Sequence, residues 1–86
     1  MALTITVTKE CIQAGKRCDK QRCPISLAMR DVGCRWPKVG SRGIEWQIAA
    51  PPYFKRAFLP KIAMDFVEAF DANKKVEPIV FEVEVV

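Results

Sequence analysis

Leu3, Ile5 and Val7 alternate with Thr4, Thr6 and Thr8 at the start of the chain. A strict period of two built from β-branched residues predicts a half-buried strand, with its apolar side toward a core and its threonines outward. The period returns at Ile44, Trp46 and Ile48, interleaved with Glu45 and Gln47, and predicts a strand over 44–49. It returns once more at Ile79, Phe81, Val83 and Val85, interleaved with Val80, Glu82 and Glu84. Pro78 stands at the start of that last strand, where its missing N–H does least harm. Residues 35–39 form a weaker strand, joined to 44–49 as a hairpin through Gly40-Ser41-Arg42-Gly43. Pro51-Pro52 stops the second arm.

Elsewhere the spacing is helical. Ile25, Ala28, Met29 and Val32 recur at steps of three and four and form a buried stripe. Pro24 suits the first helical position, which makes Cys23 the N-cap, and Gly33 suits the left-handed residue that ends the helix. A second helix runs from Pro60 to about Ala72, with Leu59, Ile62, Ala63, Phe66 and Phe70 as its stripe. Lys61 and Asp65 form an i,i+4 pair on its other side, and Asn73 caps its end. Residues 11–22 are polar and basic around the breaker Gly15 and read as a loop, with one helical turn at most before the glycine. Residues 53–58 read as a short helical turn.

The resulting order is β-α-β-β-α-β. It predicts a single α+β domain over residues 1–86: a four-stranded sheet with two helices on one face, as in the ferredoxin-like split βαβ unit. With 86 residues, half of them apolar and 28% charged, the chain has the composition of a small globular fold. It has no apolar run of the ~18 residues that a membrane span needs, so no membrane association is expected. The N-terminal residues alternate in place of showing a basic start and an apolar run, so a cytoplasmic protein is expected. In that compartment Cys11, Cys18, Cys23 and Cys34 are expected to be free thiols.

The net charge of +4 is unevenly placed. Residues 9–42 hold nine bases and three acids, whereas the residues after Arg42 hold five bases and seven acids. Lys16, Arg17, Lys20 and Arg22 lie within one short segment that feeds the N-terminus of the Pro24 helix, where backbone amides favour an anion. Arg30 and Arg35, with Lys38 and Arg42, extend the basic tract, and Trp36 offers a stacking face. These residues are the candidate binding site for an acidic partner, either nucleic acid or an acidic host protein. The competing reading is a homodimer held by edge strands and exposed aromatics.

Catalytic chemistry finds little support. The chain has no histidine, which removes the Ser-His-Asp and Cys-His pairs. It has no glycine-rich phosphate loop. Four cysteines satisfy a tetrahedral zinc site in number, but only Cys18 and Cys23 approach knuckle spacing. No cofactor is expected, and the cysteines remain weak metal candidates. Cys23, at a helix N-terminus beside Arg17, Lys20 and Arg22, is expected to have a lowered pKa.

Two stretches carry a resemblance. Ile5-Thr6-Val7-Thr8 followed by Cys23-Pro24-Ile25-Ser26-Leu27-Ala28, and then Leu59-Pro60, Phe66, Phe70-Asp71, Val76, Pro78 and Phe81, resemble a group of short phage and prophage proteins. The resemblance implies a virus-encoded protein working in a bacterial cytoplasm. It implies no activity and no site residues.

Overall fold

The computed structural model describes residues 2–48 and 53–85. Among these the chain forms five strands and three helices: β1 (Ala2–Val7), α1 (Lys9–Ala14), α2 (Pro24–Asp31), β2 (Arg35–Val39), β3 (Gly43–Gln47), β4 (Phe54–Phe58), α3 (Lys61–Asp71) and β5 (Ile79–Glu84). The fold is α+β. The expected four-stranded ferredoxin-like sheet is not formed. The strands divide into an antiparallel ribbon, β1 with β5, and an antiparallel meander, β2-β3-β4.

The physical reason lies in β4. Residues 53–58, expected to turn helically, instead take the free edge of β3, with Phe54, Arg56 and Phe58 opposite Gln47, Glu45 and Gly43. Ladder hydrogen bonds to a preformed edge outweigh the weak local preference of this segment. Residues 9–14 likewise complete a short helix before Gly15. Thr8 caps it by accepting the Cys11 amide on its side-chain oxygen at 3.2 Å. Ala49, Pro51 and Pro52 of the expected strand end, and Met1 of the first strand, lie outside the described residues.

The helix signals translate into geometry. Cys23 caps α2 through its sulfur, which accepts the Ser26 amide at 3.4 Å. At the other end Gly33 has φ +92°; its amide donates to the Arg30 carbonyl, and that of Cys34 donates to Met29. This is a Schellman closure, and the left-handed residue in it favours glycine. Asn73, at φ +62°, closes α3 in the same way, with Lys74 donating to Ala69. Two stripe residues depart from expectation: Val32 sits at the end of α2 and Ile62 on the outer side of α3, and both are about half exposed.

One core joins the two sheets. Ile5 and Val7 of β1, Phe81 and Val83 of β5, and Ile25, Ala28 and Met29 of α2 meet Ala63 and Phe66 of α3. Val39, Ile44, Trp46 and Ala57 close the core from the meander. The helices and the ribbon therefore cover only the inner side of β2-β3-β4.

The loop between α1 and α2 is pinned by hydrogen bonds. Cys18 donates its amide to the Asp71 carboxylate at 2.9 Å, and the Asp19 carboxylate accepts the amides of Gln21 and Arg22. The fully buried Ser26 hydroxyl donates to the Lys20 carbonyl at 2.6 Å. The same carbonyl accepts the Val39 amide. Lys20 is thereby fixed against the margin of the meander.

Candidate nucleic-acid interface

The outward side of the meander follows from its register. Ile44 and Trp46 face the core, so Gly43, Glu45 and Gln47 face away from it. Their cross-strand partners share that side. The register sets Arg35 beside Gln47 and Phe54, and Lys38 beside Glu45 and Arg56. Gly43 stands opposite Phe58. Phe58 is 79% exposed, and its glycine partner offers its ring no side chain to lie on. Phe54 is 48% exposed.

This face carries more bases than acids. Lys20, Arg35, Lys38 and Arg56 stand against one acid, Glu45, whose carboxylate lies 3.3 Å from the Arg56 guanidinium. Among the described residues Lys20, Arg35 and Lys38 have no ion-pair partner. A hollow of about 450 Å³ opens on the face, lined by Lys20, Lys38, Glu45, Arg56 and Phe58 with Gly43, Ile44 and Ala57. Aromatic rings set among unpaired cations on an open sheet can stack planar bases and hold the phosphates that link them.

The bases singled out in sequence fall into separate places. Lys16 and Arg17 border a different hollow, between the ends of α1 and α3, and share it with Lys74 and Lys75. Lys20 stands between the meander hollow and a smaller one that it shares with Asp19 and Asp71, while Arg30 and Arg35 flank Trp36 at the β2 margin. Arg22 is exposed, and its backbone, more than its side chain, is engaged in the loop. The first turn of α2 does not present open amides, because Pro24, Ile25 and Ser26 are fully buried.

Sequence reasoning missed Arg56 as a site residue; it weighed Phe54 and Phe58, with Trp36 and Tyr53, as a binding patch but favoured packing against the sheet, and both phenylalanines are exposed. Their signal was the alternation itself: in 54–58 the large apolar residues occupy the outward phase, and Lys55 and Ala57 the inward one.

The cysteines are free thiols, with Cys18 exposed and Cys11, Cys23 and Cys34 buried. The lowered pKa expected for Cys23 is not found: burial pushes its thiol up, outweighing the hydrogen bonds from Ser26 and Ile25 that favour the thiolate. Burial also raises Cys34. Among the described residues no group of three His, Cys, Asp or Glu side chains is placed to hold a metal. A thiol-reactive disulfide reagent at pH 8 should therefore modify one equivalent rapidly, at Cys18. The other three should react more than about 100-fold more slowly, as the fold opens. Two fast equivalents in the time course would contradict the burial described for Cys11, Cys23 and Cys34.

Among the described residues no helix is long and apolar enough to cross a membrane. No family model matches the chain, and no curated protein or solved structure shows a significant likeness to it.

Proposed function

We propose that this protein is a small accessory binding protein that holds single-stranded nucleic acid on the outward face of β2-β3-β4. One observation carries the reading: among the described residues Phe58 stands 79% exposed on a sheet face that nothing covers, at a hollow bordered by three bases and one acid, Glu45. Burying a phenylalanine side chain stabilises a protein by about 1.5–3 kcal/mol, so an open ring forgoes much of that and needs a reason. Stacking on a nucleobase supplies one, and the neighbouring Lys20, Lys38 and Arg56 supply the phosphate contacts. The rings suit single strands, since a duplex hides the flat faces of its bases. The cytoplasm of a virus-infected bacterial cell is the setting that the sequence resemblance favours.

Fluorescence anisotropy with a labelled oligothymidylate, and with a duplex of equal length, tests the reading. The single strand should bind more tightly. Its log affinity should fall with log salt at a slope of about −2 to −3, from three or four phosphate contacts at ~0.7 each. Phe58→Ala should weaken binding about 5- to 100-fold, the range expected for losing one stacked base. Because the ring is exposed, the variant should fold normally. Equal affinity for both nucleic acids, together with an unaffected Phe58→Ala, would remove the basis of the reading. A second copy is the other occupant of such a face; light scattering that reports a salt-insensitive dimer without oligonucleotide affinity would select it instead.

A further inference from the structure

Trp36 is held out into solvent at a cost. It is 64% exposed, and its backbone has φ +51°, in the left-handed region. That region disfavours an L-residue, and for a bulky side chain it is a true outlier. The ladder between β2 and β3 is irregular between Arg35 and Lys38, and Pro37 next to Trp36 is fully buried. An irregularity of this kind re-aims a side chain, and here it turns an indole away from the core that its neighbour enters. The irregularity seats Pro37 in the core but leaves the indole uncovered, and a strained residue held open in this way points to a use in the bound state.

What surrounds the indole gives that use a chemistry. Trp36 borders a shallow hollow of about 390 Å³ together with Arg30, Gly33, Cys34 and Arg35. Among the described residues neither arginine is ion-paired. Gly33 leaves open space above its backbone: beyond its own chain neighbours, nothing lies within 4 Å of where a Cβ would stand. Guanidinium groups match the oxygens of a phosphate in a forked geometry, and an indole offers a broad π-face to a base. The hollow also joins the sheet face, because Arg35 belongs to the same cross-strand row as Gln47 and Phe54.

We infer that Trp36, Arg30 and Arg35 form a subsite for one nucleotide unit, with its base on the indole and its phosphate between the two guanidinium groups. The inference rests on the sheet-face reading and carries the strand across β2, beyond the two phenylalanines.

Tryptophan emission tests it, because Trp46 is buried in the core and Trp36 is the exposed fluorophore. As oligothymidylate is titrated, the exposed emission should be quenched in step with the anisotropy change. Trp36→Gly should lower the affinity about 5- to 100-fold. Its melting temperature should be no lower than the parent's, since glycine accepts the left-handed backbone. Trp36→Phe should restore the affinity to within about threefold, as another stacking ring. If the oligonucleotide binds but the emission and the Trp36→Gly affinity do not change, the subsite is overturned and the sheet-face reading stands. A loss of affinity in Trp36→Gly that comes with a lower melting temperature marks a packing role and overturns it too. If the parent protein binds no single strand at all, the sheet-face reading fails first and the subsite falls with it.

Discussion

Gly15→Ala should destabilise the fold by about 1–3 kcal/mol, the usual cost of forcing an extra methyl into a packed site. The sign is what makes the experiment informative. Gly15 has φ −71° and ψ 153°, an ordinary extended conformation for alanine. At such positions the change normally stabilises by about 0.4–1 kcal/mol, because the unfolded chain loses freedom. Here an added Cβ would stand 2.6 Å and 2.7 Å from the Pro24 ring carbons and 2.8 Å from the Pro24 nitrogen. That proline cannot step aside: its ring is fully buried and it forms the first residue of α2. Relief must come from moving the end of α1 away from α2, which strains the capping bond between the Gly15 amide and the Cys11 carbonyl. Urea denaturation measures the outcome. With a slope of roughly 1–1.5 kcal/mol/M for a small domain, the midpoint should fall by about 1–2 M. A midpoint that rises would mean that α1 and α2 do not approach as closely as described.

Reversing Lys20, Arg35 and Lys38 together to glutamate should lower oligonucleotide affinity by at least about 1000-fold at low salt and remove about two units of the salt slope. The matched control reverses Lys16, Arg17 and Lys74, which border the other hollow. Both variants change net charge by the same amount, from +4 to −2 by six units, so long-range repulsion is equal in the two. Any difference between them reports where the phosphates sit. The control should lose only the general attraction, about tenfold or less, and that loss should vanish near 0.2 M salt as screening shortens the field. If the control loses more than the sheet-face variant, the strand lies along the α1–α2 loop, and the face of the meander is not the binding surface.

How far the sequence disclosed this depends on where the information was local. The caps of α2 were legible because a proline and a glycine each have one strong backbone preference. The strands β1, β3 and β5 were legible because their apolar phase points to the core. β4 was not: its phase is inverted, with Phe54 and Phe58 outward, and a periodicity rule that assigns large apolar residues to the interior misreads such a strand. The division into two sheets was equally hidden, since the choice of β1 to pair with β5 alone is made by packing across the whole chain. The charge excess of residues 9–42 was plain, but not its partition. Lys16 and Lys20 are four residues apart and belong to different hollows, because the loop turns between them and the Lys20 carbonyl is tied to β2.

The margin of β2 has a consequence for a protein that leaves phenylalanine rings uncovered. A bare strand edge invites a second chain to add itself, and a nearby apolar surface strengthens the invitation. Along β2 that invitation is withdrawn residue by residue. Pro37 has no amide to give, the strained Trp36 breaks the repeat, and the Val39 amide is already taken by Lys20. That margin of the sheet is thus a poor template for an added strand, even though the rings of Phe54 and Phe58 stand open on the same sheet.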